Sequence, residues 1–593
     1  MNVLVPAAAP AVLLRARQGW WRGVGAGVPR VAWRLEEVVP LLAAVELEAA
    51  RGGFCVGFVV YEAAPAFDGA LAVATTAPGL PLAAFAVFER CEKVRALPTL
   101  PRGREETLDD LGAEAWRASR GEAEYKAGIA SIKNAIAAGD VYQVNYTHRL
   151  RAPFGGEPWE LFHRLVSGGA PPHAAYLDFG EFAICSASPE LFFSLRHDRL
   201  VSRPMKGTAA RGRSWQEDVD AGRRLQASPK ERAENLMIVD MVRNDLGRVA
   251  TPGSVRAPDL FRLERYPTLW QLTSTVTARS RASLAEVFAA LFPAASITGA
   301  PKASAMRRIA ELEGEPRGVY TGAIGWVGPG RRATFGVAIR TATVHRRPGL
   351  AEYGTGGGVV WDSAAAAELA ETRLKALVLA PPRRSFDLLE TLRWTPAAGF
   401  FLLRPHLLRM ARSAEYFGYR WSEGAARAAL VEISRTLPPA AHRVRLLCAP
   451  DGRFRTESEP VTLGPAGGTR QRWRIALALR PVDAADRFLF HKTTHRGVFE
   501  DARAAHPGCD DVLLWNREGE LTESTVANLV VALDGELVTP PLSSGLLAGT
   551  YRERLLARRR VVERVVRRED LARSSGLWLV NSVRGWIPVE FRG

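Results

Sequence analysis

Apolar and polar positions along this chain follow two periods, and these sort it into strands and helices. Short runs such as "LVSRPM", "TFGVAIRTATV" and "NLVVALDGELVTP" have the β-branched, alternating character of strands. "GGFCVGFVVYEAA" reads as a longer apolar strand. The stretch 228–247, "SPKERAENLMIVDMVRNDLG", predicts a helix with Ser228 as N-cap and proline in the first turn. Its apolar positions Leu236, Met237, Val239 and Met241 face the interior, while Glu231 and Glu234, three apart, share one face. A second helical pattern, "SAAAAELAETRLKALVLA", stops at Pro381-Pro382, and a new apolar run begins at Phe386. This predicts a first half over 1–380, a linker over 381–385 and a second half over 386–593. Each half mixes strands with helices, so the expected class is α+β. "LPTLPRGREETLDD" reads as a loop inside the first half, and "MNVLVPAAAPAVLL" as a strand and loop with no basic start of a signal peptide.

Length and charge narrow the picture. A chain of 593 residues needs more than one core. Its net charge of +16 predicts attraction to anions. The arginines are dispersed, with no basic run interleaved with aromatics and no zinc-finger spacing, which points to small anionic substrates and away from nucleic acid. No apolar run reaches the roughly 20 residues of a membrane span. Five scattered cysteines argue against a disulfide framework and for a reducing, cytoplasmic setting.

Lysine is the informative residue. Of 79 basic residues only eight are lysines, at 93, 126, 133, 206, 230, 302, 375 and 492. Arginine stays charged, whereas lysine can act as a neutral amine and attack carbon or form a Schiff base. Lys206 in "RPMKGT", Lys302, Lys375 and Lys492 occupy patterned places. Glu368 and Glu371 are again three apart, with Lys375 four beyond. Two helices each presenting such a pair could hold a divalent cation such as magnesium. On spacing alone, exposed salt-bridged faces account for them better. The turn "TGAPK" enters a helix whose N–H groups could receive a carboxylate, and Gly356 to Gly358 precede an apolar strand and would let backbone approach a ligand.

Taken together, "SASPELFF", "RPMKGT", "ERAENLMIVDMVRNDLGRV", "FPAASITGAPK", "YTGAIGW", "AIRTATV", "GTGGGVVWDS" and "ELAETRLKA" resemble, in order, the chorismate-utilising enzymes, over roughly residues 50–378. The resemblance implies a two-sheet β sandwich core with helices. Lysine at 206 resembles the aminodeoxychorismate synthase component I branch, where anthranilate synthases carry alanine. It implies that Lys206 attacks the chorismate ring and Glu190 is the general acid. Magnesium would be held among Glu231, Glu234, Glu368 and Glu371. Tyr320, Arg340, Gly356 and Gly358 resemble contacts to the enolpyruvyl carboxylate, and Gly207, Thr208 and Lys375 those on the ring side. Trp270-Gln271 departs from the family, many of whose members have a histidine there. Ammonia would come from a separate glutamine amidotransferase, because Cys55 lies inside a strand without the histidine and glutamate of a glutaminase.

In the second half, Lys492 is the lone lysine, Glu523 follows a strand, Gly549-Thr550 opens a basic helix, and His406 and Arg409 share another. A lysine, a phosphate cradle and a glutamate together suggest pyridoxal phosphate. Residues 386–593 resemble the fold-type IV pyridoxal-phosphate enzymes. This implies a Schiff base at Lys492, Glu523 on the pyridine nitrogen, and Arg409, Thr550 and Ser582 on the phosphate. The family's usual N-terminal strand pair does not precede "FDLLETLR", so a small sheet that is either trimmed or completed by the first half is expected. A homodimer through this half is also implied. The expected activity of this half is that of an aminodeoxychorismate lyase, which together with the first half would make 4-aminobenzoate in folate biosynthesis; the alternative is a D-amino-acid or branched-chain aminotransferase.

Overall fold

A computed structural model describes residues 11–592 apart from 17–18, 26, 76, 78, 98–115, 380–385 and 464–471. The expected linker, most of the loop at 97–110 and the first ten residues lie outside the described residues. The chain divides into two compact units, 1–210 with 222–382, and 211–221 with 383–593. The expected unbroken span 1–380 is thus interrupted at 211–221.

The first unit is built on two ten-stranded antiparallel sheets. One runs in the order Gly299–Ala300, Gln143–Pro153, Leu350–Val359, Thr341–His345, Phe182–Ser188, His173–Asp178, Ala11–Arg15, Trp20–Val24 and Arg90–Val94. The other begins at Met205–Ala210 and continues through Leu269–Arg279, Arg199–Arg203 and Leu191–Arg196 to Val28–Ala32. Their apolar faces, with Leu177 and Ile184 from one and Phe58, Phe193 and Phe335 from the other, form one continuous core. Gly356–Gly358 fall inside the strand Leu350–Val359 rather than before it, paired with Asn145–Thr147. The helix Pro229–Gly247 starts as its sequence predicts, Ser228 Oγ accepting from the Glu231 amide. No helix among the described residues is long and apolar enough to cross a membrane.

The second unit has a four-stranded sheet (Gly399–Phe400, Leu388–Thr395, His442–Cys448, Phe454–Pro460) beside the helices Leu403–Phe417 and Glu423–Thr436. The small sheet is therefore present, assembled from residues after 388. An eight-stranded mixed sheet follows. Six of its strands, Leu521–Ser524, Asp511–Trp515, Trp473–Leu477, Gly585–Phe591, Gly576–Asn581 and Asn528–Leu533, close into a ring through the Glu523–Asn528 pairing. Glu523 lies within a short strand, at that closure, not after it.

Candidate functional sites

Each unit contains a polar cavity among its described residues, and the candidate residues divide between the two. In the first unit, a cavity of about 150 Å³ is lined by Glu190, Lys206, Gly207, Thr208, Tyr320, Arg340, Gly356, Gly358, Lys375 and the four paired glutamates. Every first-half site residue that the resemblance implies therefore reaches one space, whereas Lys302 does not and pairs with Asp245 at 2.9 Å.

Lys206 sits on the edge strand Met205–Ala210, largely shielded, with its Nζ 3.7 Å from Glu234 Oε2. Its strand is pinned on both sides: Asn235 Nδ2 donates to the Lys206 carbonyl at 3.1 Å and Gln271 Nε2 to the Gly207 carbonyl at 2.9 Å. Gln271, the departure noted in the sequence, thus fastens the strand that carries the lysine. Gly207 has φ +94°, a conformation open to glycine. Across the cavity, a Cβ on Gly358 would come within 2.1 Å of Lys206 Nζ and 2.9 Å of Gln143 Nε2. The bare glycine is what lets the amine reach the opposite sheet. Gln143 is fully buried, and neither of its amide atoms has a hydrogen-bond partner. An unsatisfied buried amide beside a shielded amine marks a place for a polar reactant. The sequence held a signal for it: Gln143, Asn145 and Thr147 are polar residues at alternate positions of a buried strand.

Glu190 is buried, and burial pushes its carboxyl up to about 7; Ser296 Oγ donates to Oε1 at 2.5 Å and opposes that shift in part. Near neutrality a large fraction is therefore protonated, a carboxylic acid able to give up a proton. Lys375 Nζ donates to the Gly356 carbonyl at 2.8 Å and pairs with Glu371 at 2.8 Å. Lys375 holds Glu371 below the usual carboxylate range despite burial. Burial and the neighbouring Glu234 raise Glu231, and burial raises Glu368, whose Oε1 accepts from Ser363 at 2.6 Å. Among the described residues no group of three acids converges to hold a metal as it stands. The donor set still suits magnesium. It offers only oxygens, two of the acids repel each other, and a hard dication needs few protein ligands when water and substrate supply the rest.

Two further features support the walls. Arg340 adopts φ +50°, a strained backbone for a non-glycine residue, and its guanidinium lies 5.1 Å from the Tyr266 ring. Beneath Tyr320 lies a fully buried Arg149–Glu313–Arg317 group, with Arg317 Nη2 2.6 Å and Arg149 Nη2 3.4 Å from the carboxylate. Arg317 also donates to the carbonyls of Asn145 and Ile297, both of which line the cavity. Sequence reasoning missed this group, as it missed Gln143. Cys55 is buried and burial raises its thiol to about 12, so it is no nucleophile.

In the second unit, a cavity of about 530 Å³ is lined by Lys492, Glu523, Arg409, Thr550 and Ser582. Burial, then Arg496 and Arg409, lower the Lys492 ammonium to about 7, so a neutral amine is available. Burial raises Glu523 to about 8, while its oxygens accept from the Leu547 amide at 3.1 Å and from Asn528 Nδ2 at 3.2 Å. Thr550 opens a helix at N-cap Gly549, where a Cβ would strike Asn528 Oδ1 at 1.8 Å. Ser582 Oγ donates to the Thr391 carbonyl at 3.3 Å. Arg409 is committed elsewhere: Nε and Nη2 bond Glu390 at 2.8 and 2.6 Å, and Nη1 the Ala548 carbonyl at 2.9 Å. Burial raises the Glu390 carboxyl, but Arg409 and His406 outweigh it and hold it at about 2. His406 bridges Glu390 at 2.6 Å to Thr550 Oγ1 at 3.1 Å. Burial keeps that imidazole neutral, so Nδ1–H donates to Glu390 and Thr550 O–H to Nε2. The sequence placed His406 and Arg409 together but gave no sign of Glu390 between them. An amine of depressed basicity, a buried acid set into the ring closure and an anchored arginine suit pyridoxal phosphate in kind.

Comparison with known proteins gives these cavities a context. Residues 29–381 match the family model described as chorismate binding enzyme, and residues 387–590 that described as amino-transferase class IV. Aminodeoxychorismate synthase component 1 of Klebsiella aerogenes is 44% identical over 260 residues, 44% of this chain and 57% of the relative. Aminodeoxychorismate synthase of Streptomyces griseus is 47% identical over 247 residues, 41% of this chain and 34% of the relative. The chain thus spans little more than half of one relative and a third of the other. The crystal structure of anthranilate synthase component I from Streptococcus pneumoniae TIGR4 superposes with TM-score 0.50 at 24% identity, over 64% of this chain and 91% of that one, a likeness of fold.

Proposed function

The chain belongs to the chorismate binding enzyme family, and from that premise we propose that its first unit aminates chorismate to 4-amino-4-deoxychorismate while its second unit expels pyruvate from that product to give 4-aminobenzoate. The observation that carries the reading is the Lys206 amine, accommodated against Gly358 in the same cavity as a protonatable Glu190.

Lys206 Nζ adds to ring carbon C2 as Glu190 delivers its proton to the departing C4 hydroxyl. Ammonia then bonds to C4 and Lys206 leaves. Covalent catalysis divides one hard substitution into two easier ones. Arg340 and Tyr320 hold the enolpyruvyl carboxylate, and Lys375 orients the strand of Gly356. Magnesium, when bound by carboxylates among Glu231, Glu234, Glu368 and Glu371, supplies a positive charge for the ring carboxylate. Ammonia comes from a glutamine amidotransferase partner.

In the second unit, Lys492 would hold the cofactor's carbonyl carbon and Glu523 would partner its pyridine nitrogen. Arg409, Thr550 and Ser582 border the phosphate site. Pyridoxal phosphate, when bound, supplies a carbonyl that condenses with amines and a sink for the electrons released. Lys492 Nζ, a buried amine of lowered basicity, would take the proton from the carbon that bears the substrate amine. Loss of the enolpyruvyl group as pyruvate then leaves an aromatic ring.

The test is to supply the purified chain with chorismate, magnesium, pyridoxal phosphate and ammonium at mildly alkaline pH, and to follow 4-aminobenzoate fluorescence. Product from the chain alone supports both steps. Product only after adding an authentic lyase refutes the second step. Anthranilate or isochorismate in place of 4-aminobenzoate refutes the role given to Lys206.

A further inference from the structure

The second unit's cavity holds more positive charge than a cofactor phosphate requires. Besides Arg409 and Lys492 it is lined by Arg443, Arg445, Arg496, Arg503 and Arg584, of which Arg503 is exposed and donates to the Asp510 carbonyl at 3.2 Å. Arg443 and Arg445, two apart on the strand His442–Cys448 and hence on one face, pair with Glu459 and Glu457, each at 2.7 Å. Arg496 and Arg584 differ. Both are half-buried, and neither makes an ion pair among the described residues. Arg496 donates to the Thr525 carbonyl and lies 4.6 Å from the Phe499 ring. Arg584 lies 5.4 Å from the Trp473 ring. A ring face steadies a guanidinium while leaving its N–H edge free for a carboxylate. Burial lowers the pKa of both, and Arg443 adds to the effect at Arg584. Glu523, Glu500 and Asp511 act on Arg496 and Glu459 on Arg584 only at a distance, and burial outweighs them; a part-buried cation with no direct ion-pair partner is costly, and the cavity offers it an anion's place.

We propose that Arg496 and Arg584 form a carboxylate-receiving wall, so that the second unit selects amines carrying two carboxylates over ordinary amino acids with one. This rests on the reading of the cavity as the site of the second, pyridoxal-phosphate-dependent step, and it favours a lyase substrate over those of a branched-chain or D-amino-acid aminotransferase. The competing source of anion is the cofactor phosphate, since Arg584 follows Ser582 by two residues.

The probe is 3-(carboxymethoxy)benzoate, an aromatic dicarboxylate, compared with phenoxyacetate and benzoate. Binding is measured by calorimetry on the full chain without magnesium, with and without pyridoxal phosphate, and in parallel by the absorbance of the bound cofactor. The wild type takes the dicarboxylate at least tenfold more tightly than either monocarboxylate. Arg496→Gln with Arg584→Gln removes that preference, and the paired Arg→Lys variants, which keep the charge and guard against misfolding, retain most of it. Any binding in the first unit is common to all variants and cancels. Unchanged preference in the glutamine variant, or equal loss of all three acids, overturns the inference. So does a loss confined to cofactor retention, which assigns the arginines to phosphate. Arginine-dependent dicarboxylate binding in a chain that takes up no cofactor keeps the inference and refutes the pyridoxal phosphate reading instead.

Discussion

Replacing Gly358 by alanine adds a single methyl group at the point where the first cavity is narrowest. The new Cβ stands 2.1 Å from Lys206 Nζ, whereas ordinary contact begins at 3.4 Å. The lysine amine must therefore retreat by about 1.3 Å, the difference of those two distances. The backbone at 358 is not in the left-handed region, so alanine itself is not strained there. The atoms displaced, Lys206 Nζ and Gln143 Nε2 at 2.9 Å, are ends of flexible side chains, so the fold tolerates the change and the melting temperature moves by only a few degrees. The chemistry does not tolerate it. A misplacement of about 1 Å in a reacting group costs on the order of 10²-fold, equivalent to about 2.7 kcal/mol of barrier. The expected result is a loss of roughly 10²-fold in kcat/KM for chorismate amination with ammonium, followed with an excess of authentic lyase so that only the first step is read. A Gly358→Ala protein that stays folded and works within a few-fold of wild type would falsify the assignment of Lys206 Nζ as the attacking atom in this geometry.

Glu190, raised to about 7, donates only while protonated; amination normalised to free ammonia should fall as pH rises through about 7, and a flat profile removes it as the acid. Glu313→Gln leaves Arg149 and Arg317 buried against a neutral amide; the first unit should lose about 3–5 kcal/mol in chemical denaturation, against less than about 1 for Glu423→Gln at the exposed Arg427 pair. Lys492 exposes its neutral amine above about 7, so the rate of pyridoxal phosphate capture should climb through that pH, and Lys492→Ala should show no absorbance of covalently held cofactor. Capture that is independent of pH, or that survives in Lys492→Ala, refutes the anchor.

What was legible in the sequence was local. Ser228, Pro229 and the acids of the first turn announce the helix Pro229–Gly247, because caps and spacing act within a few residues. The scarcity of lysine singles out Lys206, Lys302, Lys375 and Lys492; the structure sets three of them in the two cavities, while Lys302 pairs with Asp245. The Gly356–Gly358 run was placed one element too early, since consecutive glycines read as a break while here they continue a strand whose partner lies about 200 residues earlier in the chain. Gln143, Glu390 and the Arg149–Glu313–Arg317 group were not found. Glu390 and the buried group owe their character to partners distant in sequence, and no local pattern marks them; Gln143 left only the alternation of polar residues along Gln143–Pro153, which a solvated strand face shows equally.

The Arg149–Glu313–Arg317 group sums to one positive charge, two guanidiniums against one carboxylate held below its usual range. Guanidiniums do not deprotonate in proteins. Beneath the polar cavity of the first unit this amounts to a built-in positive potential, set when the chain folds. Buried sources are weakly screened by salt. Attraction for an anion in this cavity should therefore persist at an ionic strength that silences a surface field, and the energy of orienting those charges is spent in folding instead of at each binding event.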